Sequence, residues 1–403
     1  MIESLPSSSE LRTALQRRDE FELLCALAGT ELSSERIERI ASWDLSAVDL
    51  SEFLRLAEFH GVLPLAARNL IEHCRGLSPD VERSLRSAYD ANLARSLWFA
   101  AELARLLQHF EEKKLRAIPY KGPVLAQSVY GDVGLRSFSD LDLLISPADF
   151  ERAKQTLAET GYHPAVELSA AVERLWLRIG YERAFDGAAG KYLVELQWAL
   201  LPHFYGVNFH MNDLRVEDLL ARAGRTVIGG CDVLCLSPED LLLVLCIHAA
   251  KHLWTRLVWL CDIAETLRTQ VIDCPLVFSR ARALGTSRIL AVSFWLVKNV
   301  LKRQLPEPAE ELVASDRRVP ALGREFGERL ARGEGYDLES TRYFRMILKL
   351  RERPGDRWRY LWRLLWTPGV GDVAAVRLPA ALFPLYRIIR IGRLMGKVIQ
   401  LRL

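Results

Sequence analysis

The first third of the chain spaces its apolar residues at a helical interval. Leu23, Leu24 and Leu27 recur this way, as do Leu93, Leu97, Leu103, Leu106 and Leu107, with charged residues nearby and loops such as Gly29–Ser34 and Gly76–Asp80 between the pieces. The pattern predicts an all-helical region over residues 1–115. At Leu115 it changes. A short apolar run, Leu115–Pro119, precedes Lys121-Gly122-Pro123, then a short helical stretch over Val124–Tyr130 and a glycine-containing loop, Gly131–Ser139. In Asp140–Ile145 the alternation has a period of two, with Asp140, Asp142 and Leu144 on one side and Leu141, Leu143 and Ile145 on the other. That is a strand.

Ser146-Pro147-Ala148-Asp149 carries a helix-start signature, with Ser as N-cap, Pro in the first turn and an acid three residues on. The helix should run to about Thr160, where Gly161 ends it. A second helical stretch near Ala170–Ile179 precedes Tyr181–Phe185 and Tyr192–Leu200, two strands joined by the turn chemistry of Asp186–Gly190 into an antiparallel hairpin. Thr226–Ile228 and Val233–Leu236 flank Gly229-Gly230 as a further hairpin. Ser237-Pro238-Glu239-Asp240 repeats the helix start, and the chain to about residue 350 reads as helical. The expected fold class is therefore α+β: a small mixed-sheet core over 116–236, a helical region before it, a helical domain over 237–350 and a separate C-terminal segment, 351–403.

Composition narrows the class without naming a function. The chain has 403 residues, half of them apolar and 26% charged, which excludes a wholly disordered chain. Its seven cysteines form no Cys-x-x-Cys pair, which favours a reducing cytoplasm over a disulfide framework. No run of about 18 apolar residues would span a membrane. The net charge of +3 hides an asymmetry, because residues 351–403 carry eleven Lys/Arg against three Asp/Glu. Arg357, Arg359, Arg363, Arg387, Arg390, Arg393, Lys397 and Arg402 are interleaved there with Trp358, Tyr360, Trp362 and Trp366. Leu385–Leu403 reads as a basic amphipathic helix. Such a helix either docks on its own protein with a solvated cationic face or makes peripheral contact with a membrane or another anionic partner.

Candidate chemistry concentrates at Asp140-Leu141-Asp142. Two carboxylates at i and i+2 of a strand share a face, the arrangement that holds a pair of divalent cations for in-line nucleotidyl transfer. The bare pattern is weak, since the chain's aspartate content makes about one Asp-x-Asp expected by chance. Glu195 strengthens it. In Tyr192–Trp198 it lies on a face with Leu193 and Gln197, alternating with Val194, Leu196 and Trp198, where a buried acid would be costly without a partner. Lys121 and Gly122 offer an ammonium and backbone N–H donors for phosphate, and Arg136 either clamps a phosphate or pairs with the carboxylates. His248 and His252, at i and i+4, have a spacing that can grip zinc. No third ligand is evident beside them, so they read as a structural pair or a cleft wall. Lys251, Arg256 and Asp262 on the same helical segment are candidates for nucleotide or acceptor contact, weighed against ordinary surface pairing.

Pro119-Tyr120-Lys121-Gly122, Tyr130-Gly131-Asp132 and Leu135-Arg136-Ser137-Phe138-Ser139-Asp140-Leu141-Asp142-Leu143-Leu144 together resemble the signature of a bacterial family of uncharacterised nucleotidyltransferases, within the DNA polymerase beta-like superfamily. Val194-Glu195-Leu196-Gln197-Trp198 looks like that family's second acidic strand, in which His commonly stands where this chain has Gln197. His248–Trp254 and Leu257–Ala264 are similar to its helical segment after the core. The superfamily's usual Gly-Ser pair is absent. The resemblance implies transfer of a nucleoside monophosphate from an NTP, with ATP as the expected donor, to a hydroxyl or phosphate acceptor on a small molecule or peptide. It implies two Mg²⁺ ions on Asp140, Asp142 and Glu195, with Lys121, Gly122, Arg136, Ser139 and Lys251 holding nucleotide. Three alternatives stand beside it: phosphoryl or glycosyl transfer on the same site, a non-catalytic nucleotide-binding protein, and a membrane-surface accessory factor run by the tail.

Overall fold

Serine N-caps followed by proline start several of the helices. The computed structural model describes residues 19–201, 214–335, 340–368 and 380–400, together with residues 337, 372, 376 and 378. The longest helix, α1 (Pro79–Glu112), opens with the Ser78 side chain accepting from the Val81 N–H, Pro79 in the first turn and two acids at its positive end. It lies beneath the core. Among the described residues, four shorter helices precede it, at residues 19–27, Ser34–Ala41, Leu50–Phe59 and Leu63–His73; the helical spacing of Leu23, Leu24 and Leu27 falls in the first, and that of Leu93 to Leu107 falls in α1 itself.

The central sheet has five strands in the order β1-β2-β5-β4-β3: β1 (Ala117–Pro119), β2 (Leu141–Ile145), β3 (His163–Pro164), β4 (Glu182–Gly187) and β5 (Gly190–Gln197). Only the β2–β5 pair is parallel; the others are antiparallel. A parallel pair needs a crossover, and α2 (Phe150–Glu159) and α3 (Ala170–Ile179) lie in the chain between β2 and β5. Gly161, at φ +94°, ends the turn after α2. The hairpin β4–β5 forms as expected but stops at Gln197, so Trp198–Leu200 lie outside the strand. Strands β6 (Gly224–Ile228) and β7 (Cys231–Cys235) make the second hairpin, turning through Gly229 and Gly230, both with positive φ.

The two faces of the central sheet meet different partners. Leu141, Leu143, Ile145, Val194 and Leu196 pack with Phe150, Ala153 and Leu157 of α2 and with Phe99, Leu103 and Phe110 of α1. The opposite face carries Asp142, Glu195 and Gln197 toward the helices that follow residue 237. Those helices include α4 (Pro238–Lys251), opened by Ser237 accepting from the Asp240 N–H, and α5 (Leu257–Thr269). One apolar core joins the N-terminal helices to this later region, running from Phe21 through Leu245 and Leu290 to Leu364.

One expectation changes in detail. The stretch at Val124–Tyr130 is a four-residue α-helix, Gly122–Leu125, that widens into a π-turn over Ala126–Tyr130. The C-terminal helix α7 (Tyr386–Gln400), preceded by α6 (Pro354–Trp366), rests one side on its own protein, in line with the docking reading of the tail. Tyr386 and Arg390 are buried, and Arg390 donates to the Leu364 carbonyl and pairs with Asp372 at 3.1 Å. Residues 1–18 and 401–403, where the expected helical region and tail helix also extend, lie outside the described residues. All seven cysteines are free, and no described helix is long and apolar enough to cross a membrane.

Candidate active site

Register on the parallel pair builds the site. Asp142 on β2 is the direct partner of Glu195 on β5, and Leu144 is the partner of Gln197. Across the neighbouring antiparallel pair Gln197 stands opposite Glu182. Three strands thus bring Asp142, Glu195 and Glu182 to one region, with Asp140 entering from the residue before β2. These four carboxylates line a cleft of about 970 Å³ that is walled on the far side by His248, Lys251, His252 and Trp259.

Gln197 is the hub of this cluster. Its Nε2 donates to Asp142 Oδ1 at 2.9 Å and to Glu195 Oε2 at 3.0 Å, with Glu182 Oε2 at 3.3 Å, while its Oε1 accepts from the Tyr120 hydroxyl at 2.7 Å. Carboxylates can only accept when ionised, so they fix which end of the amide faces them. Lys121 Nζ lies 2.8 Å from Asp142 Oδ1. Asp142 is 2% exposed, and the ammonium and the amide together satisfy its buried oxygen.

Negative charge is crowded here. Burial first, and then the Asp142 carboxylate, push Asp140 up to about 6. Burial, followed by Glu182 and Asp142, pushes Glu195 up to about 8. Burial opposes charge on Lys121, but Asp142 and its neighbours outweigh it and hold the ammonium above its ordinary range. Four carboxylates facing one close ammonium are a set of hard oxygen donors with charge to spare, which fits Mg²⁺. Among the described residues, no three His, Cys, Asp or Glu side chains already stand as a metal cage. Lys121 and Gln197 occupy the oxygens that such a cage would share.

The other predicted residues divide. Ser139 is exposed at the cleft mouth, and Lys251 lines the wall, donating to the Tyr181 hydroxyl at 2.8 Å and lying over its ring. Gly122 has φ +57°, and a Cβ on it would lie 3.3 Å from the Asp140 carbonyl oxygen. Its visible role is to let the Lys121 loop approach β2, because a helix this short gathers little dipole. Arg136 requires a correction. It does not clamp Asp140 or Asp142: its Nε and Nη2 donate to Asp262 at 2.8 and 2.9 Å, and the group is buried at the cleft floor. Asp262, a candidate for ligand contact, is 1% exposed and also accepts from the Tyr130 hydroxyl, so it anchors the Arg136 loop instead.

His248 and His252 are cleft wall. Their rings lie 4.9 Å apart, and both contact Trp259. Burial, reinforced by the Lys121 and Lys251 charges, holds both imidazoles well below their ordinary range, so they are neutral rings. Arg256 at the rim donates to the Phe59 carbonyl and lies over the Phe59 ring.

Glu182, Tyr120 and Tyr181 were not singled out from sequence. Extending the hairpin from its Gly187–Gly190 closing pair sets Glu182 opposite Glu195, and a register shift between Phe185 and Gly187 moves it opposite Gln197, so its partner is not legible from the turn alone. Tyr120 and Tyr181 flank strands and carried no periodic signal.

A mixed sheet with acids paired across adjacent parallel strands, opening on a helix-walled cleft, is consistent with a nucleotidyltransferase fold. The family model for uncharacterised nucleotidyltransferases matches residues 46–302, most of the chain, and the chain belongs to that family. The match takes in the sheet, the cleft and the helices through α5. No curated protein and no solved structure matches the chain.

Proposed function

We propose that the cleft transfers a nucleoside monophosphate from an NTP, with ATP as the expected donor, to a hydroxyl or phosphate on a small-molecule or peptide acceptor. The observation that carries this reading is the direct pairing of Asp142 with Glu195 beneath a cleft large enough for a nucleotide. In the reaction, a bond forms between the acceptor oxygen and the α-phosphorus. The bond from that phosphorus to the bridging oxygen breaks, and pyrophosphate leaves with the electron pair. Asp140, Asp142 and Glu195 would hold two magnesium ions, which supply charge neutralisation for the triphosphate and a lowered pKa for the acceptor hydroxyl.

The chain's own residues bind and orient. Lys121, beside Asp142 on the cleft floor, offers an ammonium to phosphate oxygens, and Ser139 and Lys251 offer a hydroxyl and a second ammonium from the mouth and wall. Glu195 completes the acidic set; burial favours its neutral form in the ligand-free cleft, and ionised beside bound magnesium it would take the proton of a hydroxyl acceptor. Arg136 contributes a fixed positive charge that favours ionised Asp140 without leaving Asp262. The free cysteines accord with a reducing cytoplasm.

A test is to incubate the chain with Mg²⁺, each NTP and panels of hydroxylated metabolites and peptides, then weigh the products. Addition of a nucleoside monophosphate with release of pyrophosphate supports the reading. Addition of phosphate or a sugar contradicts it. One observation favours a second reading, a nucleotide-binding protein without turnover: Lys121 and Gln197 already satisfy Asp142 by themselves. Tight NTP binding with no pyrophosphate from any acceptor would select that one.

A further inference from the structure

The helix α6 turns an aromatic stripe outward. Trp358, Leu361, Trp362, Leu365 and Trp366 recur at i, i+3, i+4, i+7 and i+8, which places them on one face. All are exposed, Trp358 by 69% and Trp362 by 53%, and the rings of Trp362 and Trp366 lie 5.4 Å apart. The helix's other face is spent on the fold, with Tyr360 and Leu364 buried. Leu382, Leu385 and Ile388, at and just before the start of α7, add further exposed apolar groups. Exposed Trp and Leu grouped in this way mark an interaction surface.

Cations border the stripe. Arg357, one residue before Trp358, also lines a groove of about 690 Å³ with Arg317, Arg318, Arg345 and Lys349. Glu325 is the acid in that lining, and Lys349 engages it at 3.1 Å. Arg317, Arg318 and Arg345 are exposed. The surface therefore presents Trp and Leu for the acyl boundary beside a basic groove sized for anionic groups.

We propose that this face docks on an anionic lipid bilayer, with the tryptophans in the headgroup layer and the Arg317–Arg345 groove taking lipid phosphate. Charge complementarity selects the occupant. A second copy of the chain packed by a two-fold axis would bring one basic groove toward the other. Single-stranded nucleic acid would stack on the tryptophans but would leave Leu361, Leu365 and Ile388 without a partner. The proposal is independent of turnover in the cleft.

The test is flotation of the full chain with vesicles of phosphatidylcholine alone and of phosphatidylcholine with about a third phosphatidylglycerol. The expected result is binding to the anionic vesicles, weakened at least about tenfold by high salt. Trp358→Ser with Trp362→Ser should weaken it by about as much or more. Arg317→Glu with Arg345→Glu provides a second variant at exposed positions, and it should lose the preference for anionic lipid. Circular dichroism melts keep loss of fold distinct from loss of binding. Equal binding to both vesicle types, no binding to either, unchanged binding by both folded variants, or capture of an oligonucleotide in place of vesicles would each overturn the proposal.

Discussion

Lys121 and Asp142 form an ion pair at 2.8 Å on the floor of the cleft, with the carboxylate almost fully buried. The ammonium stands where a divalent cation would draw on the same oxygen. Asp142→Asn therefore removes the partner of a cation held in a largely buried place and destabilises the ligand-free chain, by roughly 3–5 kcal/mol at most. Glu195→Gln removes one of several crowded like charges and should leave stability unchanged or raise it. Denaturant melts of the two variants check this. The reverse order would contradict the charge layout.

Gln197 keeps Asp142 and Glu195 bridged while accepting from Tyr120. Gln197→Leu strands the buried Tyr120 hydroxyl and leaves adjacent carboxylates without their shared donor. The expected cost is about 1–3 kcal/mol in a denaturant titration, with added Mg²⁺ restoring more stability than it gives the parent. Gln197→His, which keeps a ring nitrogen able to donate to the carboxylates, should cost less.

Arg136 and Asp262 form a buried bidentate pair that anchors the loop entering β2. Arg136→Met should destabilise by about 3–5 kcal/mol, because it leaves a buried carboxylate against Tyr130. The double variant Arg136→Met, Asp262→Leu should recover part of that loss, the remainder being the buried Tyr130 hydroxyl left without its acceptor. Urea melts of the single and double variants measure the recovery. A single variant as stable as the parent would return Arg136 to the role of phosphate clamp.

His60 gives the expected pH dependence. It is fully buried among Phe21 and Phe59, neither ring nitrogen has a hydrogen-bond partner, and burial pulls it down to about 3. Its folded pKa lies below the unfolded value of about 6.5, so its stability contribution is present above that value and is lost as pH falls toward 3. Thermal melts between pH 7 and about pH 4 should show a smaller acid-side loss in His60→Phe than in the parent. Parallel curves would refute the assignment.

β2, α3, both hairpins and the Ser237 cap are legible because each has a local signal: period-two alternation, helical spacing, turn residues or a capping serine. The face shared by Asp140 and Asp142 was likewise legible from a period of two. The partners of those acids were not. Gln197's bridging depends on which strands become neighbours, and Asp142 meets Glu195 only because β2 and β5 pair in parallel across some fifty intervening residues. Arg136 was readable as a cation near the acids, but its choice of Asp262 is a tertiary contact 126 residues away. The stripe of Trp358, Trp362 and Trp366 was visible as aromatic spacing; whether it faced the core or solvent required the packing of Tyr360 and Leu364.

Asp140, Asp142 and Glu195 are proposed to bind divalent metal together with nucleotide. Titration of Mn²⁺ followed by electron paramagnetic resonance, with a non-hydrolysable ATP analogue present, tests this most directly. Two ions should bind per chain in the parent, and Asp142→Asn should lose that binding. Equal Mn²⁺ binding in parent and variant, or none beyond that of the analogue alone, would contradict it.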